Sequence, residues 1–429
     1  MKRVIVSIIL SICLCLTCTV ATACQKVEYD VDPQPANEPV HYAVDISLST
    51  ERNAIEGTER IAYAVPYEGC DQVCLWHKGT ILRASVNGVE LTKETGDVYT
   101  YLTLPKQLAQ GDIVSIEVDF ETPCTVGETY WQVQDYVPLV CAYDGAFICP
   151  TPSESGDYRK LAAGEVQLSL HAPKSMVVAL NAETAEREYE DEQQVLRWQK
   201  GAETHLALAA SPYYIRKSAT VGQTTWEYYA TTVDALTWQT IQAVAANARE
   251  TMGECKSGRV CVVQGCNIDV DGLVGLRGRT IGEVTDKVAA QWGKAHGDAW
   301  IEASVEQYVL WAYHEAWNAQ NAERMKQTAR DNVTSYGIRH GRTGDGARMD
   351  APIESYDREG YDALLRDKGL LFWLNLHEIA GDVVGECVHA LCSMDHVDKR
   401  TLAAVLKEKT GTDYAYYVEA WIEGKVMIG

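Results

Sequence analysis

The sequence predicts a multidomain protein with an N-terminal antiparallel β-sandwich followed by a mainly α-helical domain. Three observations carry this. In the first half, apolar and polar residues alternate in short runs separated by Gly, Pro and Asp, the period of half-buried strands. After Tyr214 the runs lengthen, lose most Gly and Pro and take on helix-forming composition. At 429 residues, with 46% hydrophobic and 23% charged residues, the chain has the makeup of a folded protein and exceeds one domain of roughly 100–200 residues.

The chain opens with Lys2 and Arg3, an uncharged apolar run from Val4 to Val20, and Ala21-Thr22-Ala23-Cys24. That is the three-part layout of an export signal, so residues 1–23 are read as a signal peptide. Small residues before a cysteine resemble the bacterial lipoprotein cleavage box. This makes Cys24 the lipid-bearing first residue of the mature chain and places the protein outside the cytoplasm, on the cell membrane or in the cell envelope. Ala21 stands where such boxes usually carry Leu, so two alternatives stay open. One is simple cleavage after Ala23; the other is an uncleaved anchor, since the run nears the roughly 20 residues that span a bilayer. Residues 24–40 are polar and contain Pro33, Pro35 and Pro39, which suits a tether.

The β domain is read over 41–213. Tyr42, Val44, Ile46 and Leu48 alternate with polar partners, and Ile61, Tyr63 and Val65 repeat the pattern after Gly57. Ile113 to Val118, Val166 to Leu170 and Met176 to Leu180 continue it. The helical domain is read over 214–429, with helices at 235–252, 284–292, 301–321, 361–379 and 402–409. Between the first two, Arg259 to Gln264 and Gly272 to Leu276 read as strands. Tyr336 to Arg348 reads as a mobile Gly- and Arg-rich loop.

The formal net charge of -22 excludes nucleic acid as a partner, because that affinity rests on Lys and Arg displacing counterions. Of 14 cysteines, Cys13, Cys15 and Cys18 lie in the signal and Cys24 at its end. Cys70 with Cys74, Cys141 with Cys149 and Cys261 with Cys266 are candidate disulfides in an oxidising compartment, and buried free thiols are the alternative.

Landmarks along the mature chain, in order, resemble the aminopeptidase N family of gluzincin zinc metallopeptidases. His41-Tyr42-Ala43-Val44-Asp45-Ile46 with Ile55-Glu56-Gly57-Thr58 is similar to the family's opening strands. Asp135-Tyr136-Val137-Pro138, Ala142-Tyr143-Asp144 and Ala207-Leu208-Ala209-Ala210-Ser211-Pro212 resemble later segments of its β domain. Asn267-Ile268-Asp269-Val270-Asp271-Gly272-Leu273-Val274 sits where the family has its substrate strand. Gln291-Trp292 resembles the end of its zinc helix, Asp298-Ala299-Trp300-Ile301 and Tyr308 the next helix, Lys368-Gly369 a later one, and Trp421-Ile422-Glu423-Gly424 the close of the catalytic domain. The resemblance implies a thermolysin-like (α+β) peptidase domain after the β domain.

The chemistry of that family needs His-Glu-x-x-His on a helix, so that two imidazoles one turn apart reach one Zn²⁺ and the Glu activates its water. The matching residues here are Asp286, Lys287, Val288, Ala289 and Ala290. A charged Lys287 cannot accept a proton as the general base must. At ~5 Å and an effective dielectric of ~20, its ammonium would repel a divalent ion by on the order of 6 kcal/mol. The family's third ligand falls on Ala303, with Glu302 turned about 100° away. Its transition-state tyrosine falls on Arg366, and its amine-binding Glu on Asp269, a conservative change in the substrate cleft. Asp286, Ala290 and Ala303 are thus degenerate metal positions, Lys287 and Arg366 degenerate catalytic ones, and no cofactor is expected. The sharper expectation is that Lys287 replaces the metal as counter-charge to Asp269, Asp286 or both; the blander one is an exposed polar face.

The implied function is that of an exported, lipid-anchored, catalytically inactive homologue using the former cleft to bind a peptide or protein. The alternative is an active zinc aminopeptidase with a metal site rebuilt from Asp286, His296 and Glu302. A third is a structural role in a membrane-associated assembly. His314-Glu315 and His377-Glu378 begin like the zinc motif but lack its second histidine, and read as solvated helix-surface residues. His296 and His340 read as structural or exposed. Arg330, Arg339, Arg342 and Arg348 are a candidate carboxylate-binding cluster or a solvated loop. Trp292, Trp300 and Trp311 read as core.

Overall fold

A computed structural model describes residues 40–426, apart from 50–53, 66–67, 78, 97–98, 124–139, 143–148, 152–163, 182–185, 204–206, 267, 352–355 and 395. The signal segment with Cys24, the tether to 39, Asp135 to Pro138 and Tyr143-Asp144 lie outside the described residues. Among the described residues no helix is long and apolar enough to cross a membrane.

The N-terminal region is rich in β-sheet. Strands Glu186–Glu190, Gln193–Glu203, Gly164–Pro173, Val40–Ser49, Ala54–Ala64, Ile113–Pro123, Thr80–Val86 and Val89–Glu90 form one eight-stranded sheet in that order. The alternation read from sequence aims Tyr42, Val44, Ile46 and Leu48 inward beside Ile61, Phe120 and Leu168, all buried. The sheet is not wholly antiparallel, as the sequence suggested: Val40–Ser49 runs parallel to Gly164–Pro173. A period of two fixes which side chains point inward and says nothing of strand direction.

A five-stranded sheet opens the C-terminal part, in the order Ile215–Val221, Thr224–Ala230, Arg259–Gln264, Leu273–Leu276, Asp269–Val270. Helix α1 (Ala235–Met252) joins the parallel pair Thr224–Ala230 and Arg259–Gln264, as a crossover between parallel strands requires. Asp234 caps it by accepting from the Thr237 N–H at 2.9 Å. The remaining helices are α2 (Ile281–Ala289), α3 (Ala299–Trp317), α4 (Ala319–His340), α5 (Gly369–Ala380), α6 (Val383–Cys392), α7 (Lys399–Thr410) and α8 (Ala415–Ile422). Their apolar faces share a core centred on Trp226, Phe372 and Trp373. Trp292 and Trp300 are buried in it and Trp311 packs at its edge. A smaller seam sets Ala179, Ala207 and Ala209 of the β region against Tyr229, Cys261 and Val263 of the second sheet.

Two expectations need correction, and a third is decided between its two alternatives. The helix read over 301–321 is two, because Asn318 leaves the helical region at φ -157° and its side chain accepts from the Asn321 N–H, starting α4. The loop read over Tyr336 to Arg348 is helical through His340. Beyond it, Gly344 N bonds Gly424 O and Met349 N bonds Ile422 O at 2.9 and 2.8 Å, so the segment is tied to the last residue of α8 and to the chain just after it. Cys70, Cys74, Cys261 and Cys266 are free thiols, and burial pushes Cys261 up to about 12. The side chains of Cys141 and Cys149 lie outside the described residues.

A π-helical stretch, Tyr361–Lys368, precedes α5 and brings Lys368 fully inside, where it donates to Ala347 O and to Trp421 O at 2.9 Å. Burial lowers its amine to about 8. The unfolded chain then binds more protons than the fold between about pH 8 and pH 10.5, so this group favours folding more as pH rises through that window. In urea unfolding, the stability difference between wild type and Lys368→Met should move in favour of wild type by about 2 kcal/mol from pH 8 to pH 10. A constant difference would mean that Lys368 does not titrate there.

Candidate functional site

Of the residues matched to the zinc motif, Lys287 meets Asp269 of the strand Asp269–Val270, and the chemistry there is that of an ion cluster. Asp269 stands on the short edge strand Asp269–Val270. Gln291 fastens that strand to the end of α2: its amide oxygen accepts from Gly272 N at 3.0 Å and its nitrogen donates to Val270 O at 3.2 Å. Thr280 caps α2 by accepting from Glu283 N, while the Glu283 carboxylate holds Arg277 N, a variant of the capping box. This fixes the helix that carries Asp286, Lys287 and Ala290.

Lys287 Nζ lies 2.6 Å from Asp269 Oδ2. The second oxygen, Oδ1, faces Lys294 Nζ at 3.0 Å, and Lys294 also reaches Glu306 Oε2 at 2.6 Å. Two ammonium groups and two carboxylates thus close on one another, all less than a third exposed. Burial opposes the charge on Asp269, but Lys294 and Lys287 outweigh it and hold the carboxyl below its usual range. Lys294 is likewise raised: burial works against its charge and Asp269 and Glu306 more than restore it.

Lys294 and Glu306 are absent from the sequence reading. Ala290–Gly293 is a 3₁₀ turn, and a Cβ on Gly293 would lie 2.8 Å from Glu306 Cα. That close approach lays the turn against α3 and puts Lys294 between Asp269 and Glu306. Glu306 follows Ala303 by three residues and shares its helix face. The α3 carboxylate that reaches the cluster is therefore Glu306, while Ala303 is buried and apolar. Glu302 is exposed and accepts from Gly297 N at 2.9 Å.

Asp286 does not join the cluster. Its Oδ1 lies 2.9 Å from Nε2 of His314, which is 5% exposed, so His314 is a buried partner and not the solvated residue expected. His377 is also engaged, with Nδ1 3.0 Å from the Tyr308 hydroxyl. His296 Nε2 lies 3.9 Å from Asp271, and His340 stacks on Tyr336 at 4.3 Å. Arg366, in the π-helical stretch, pairs with Asp362 at 3.5 Å. With the Gln307 amide oxygen turned toward it, Arg366 Nη2 also donates to Gln307 at 2.8 Å. The arginine cluster is dispersed: Arg339 is forked onto Glu359, Arg348 holds Asp350, and Arg330 faces another part of the surface.

These positions do not fit a zinc ion. Asp269 and Glu306 are potential ligands, yet each already faces an ammonium, and no three His, Cys, Asp or Glu side chains among the described residues are grouped to hold a metal. Asp286, His296 and Glu302, the set of the rebuilt site, each have other partners. The arrangement can hold charge in place.

No family model and no curated protein matches the sequence. Solved structures do. The crystal structure of a point mutant of an M1 zinc metallopeptidase from Deinococcus radiodurans superposes with a TM-score of 0.62 at 15% identity, covering 92% of this chain and 97% of that one. That of the M1 zinc metallopeptidase without the mutation gives 0.61 at 15%, covering 92% and 96%. A two-domain M1 zinc metallopeptidase mutant bound to L-arginine gives 0.61 at 14%, covering 92% and 98%. Over nearly its whole length, this chain has the two-domain fold of the M1 zinc metallopeptidases.

Proposed function

We propose that this protein is an exported, lipid-anchored and catalytically inactive relative of the aminopeptidase N peptidases, acting as a peptide- or protein-binding lipoprotein of the cell envelope. The observation that carries the reading is the pair of ammonium groups, Lys287 and Lys294, closed on Asp269. Each would repel a divalent ion at ~5 Å by on the order of 6 kcal/mol at an effective dielectric of ~20. Asp269, the counterpart of the family's amine-binding carboxylate, accepts from Lys287 at Oδ2 and is ion-paired with Lys294 at Oδ1, which opposes its receiving a peptide N-terminus. The signal segment and Cys24 support membrane attachment through lipid.

The test is made on protein extracted gently from membranes. Elemental analysis should find less than about 0.1 zinc per chain, and added zinc should produce no release of N-terminal residues from peptides. In the same preparation, Cys24→Ala should move the protein out of the membrane fraction. One tightly held zinc per molecule with chelator-sensitive hydrolysis would overturn the inactive reading; membrane retention of Cys24→Ala would overturn the lipid anchor.

A further inference from the structure

Helices α4, α5 and α8 leave between them a cleft of about 550 Å³, within the size range of small-ligand sites. None of its lining residues belongs to the ion cluster. Leu371 and Leu374 of α5 form one apolar wall, and Tyr416, Tyr417 and Trp421 of α8 the aromatic one. Tyr417 is already oriented, its hydroxyl 3.0 Å from Asn375 Oδ1. Tyr416 is 77% exposed, which leaves its ring open for stacking.

The third wall, from α4, is cationic. Lys326 reaches Glu378 at 3.4 Å, which balances one charge. Arg330 lines the same cleft and has no hydrogen-bond or ion-pair partner among the described residues. An unpaired guanidinium beside aromatic and aliphatic side chains suits a ligand with a planar anionic end and an apolar body, because arginine binds carboxylate through two parallel N–H donors. The chain as a whole carries a formal -22, so an unpaired guanidinium is a local exception that favours an anion there.

We propose that this cleft binds an aromatic carboxylate, with Arg330 holding the carboxylate and Tyr416, Tyr417 and Trp421 the ring. The inference does not rest on the protein being inactive, and its success or failure leaves that reading untouched.

Calorimetric titration of the full chain with N-acetyl-L-tryptophan and with its uncharged amide tests it. The acid should bind with a Kd of about 0.1–1 mM and about tenfold more tightly than the amide. Arg330→Met should reduce that preference to less than about twofold, and Tyr416→Ala should weaken both ligands by about fivefold. Both substitutions are at exposed positions and leave the core intact. A peptide ending in tryptophan that binds more tightly than the free acid identifies a peptide C-terminus as the source; equal affinity identifies a small acid. Equal binding of acid and amide by wild type, or an acid preference that survives Arg330→Met, would overturn the assignment, as would no saturable heat with either.

Discussion

Replacing Glu227 by Leu should destabilise the protein by about 3–5 kcal/mol, the largest effect expected of any single substitution considered. Glu227 is 1% exposed, in the strand Thr224–Ala230. It accepts from Arg259 Nη2 at 2.6 Å and Nε at 3.0 Å, from the Tyr229 hydroxyl at 2.5 Å, and from Arg216. Burial alone would raise its carboxyl, yet the bonds from Arg259 and Tyr229 win and hold it below the usual range. Leucine takes the Glu227 carboxylate from the Arg259 guanidinium, which is 17% exposed and keeps its bond to the Tyr229 hydroxyl at 3.0 Å. Cys261 Sγ, beside Glu227, donates to Leu180 O at 3.4 Å, so the loss falls where the β region meets the second sheet. The sign with pH follows from the lowered value: the contribution is complete above about pH 4.5 and fades as pH falls through the folded value. Urea unfolding near pH 7 and pH 3 should therefore show wild type and variant converging in acid. Equal stability at pH 7 would refute the account.

Lys294→Met should cost about 3 kcal/mol, and Lys287→Met about 1 kcal/mol. The order is the discriminating part. Lys294 is 13% exposed and serves two carboxylates, whereas Lys287 is 29% exposed and serves one. Removing Lys294 leaves Glu306 without its ion pair and Asp269 with a single ammonium; removing Lys287 leaves Asp269 still paired. Thermal and urea unfolding of both variants measures the difference. If Lys287→Met lowered stability as much as Lys294→Met, the cluster would be centred on the wrong residue. An unchanged melting temperature in both would leave only the exposed polar face.

How far the fold was legible depended on where burial has a period. The run Tyr42, Val44, Ile46, Leu48 declares an inward face through alternation alone. Helix α4 escaped because it is polar nearly all round, burying only Ala322, Ala329 and Val333 of its 22 residues, so no apolar stripe marks it. Glu227 was invisible because it sits inside the apolar run Trp226 to Ala230, and only the third dimension brings Arg216 and Arg259 to it. In the candidate site, Asp269 and Lys287 were legible because their positions matched a motif whose chemistry demands other residues. Lys294 and Glu306 were not, since their meeting depends on a glycine packing against α3, a contact no spacing rule describes. The opposite turn of Asp286, toward His314, was hidden for the same reason: two neighbours on a helix diverge by about 100°, and what each one meets is decided by other elements.

The twofold clamp of Lys287 and Lys294 on Asp269 also bears on ancestry. If this chain descends from a metal-dependent enzyme, the way back is steep. Either lysine lost alone weakens the fold before any ligand is gained, and an ion-binding histidine added first would sit beside resident positive charge. Under the proposed reading, drift at single positions meets a cost at every first step, and only several simultaneous replacements would build a metal site.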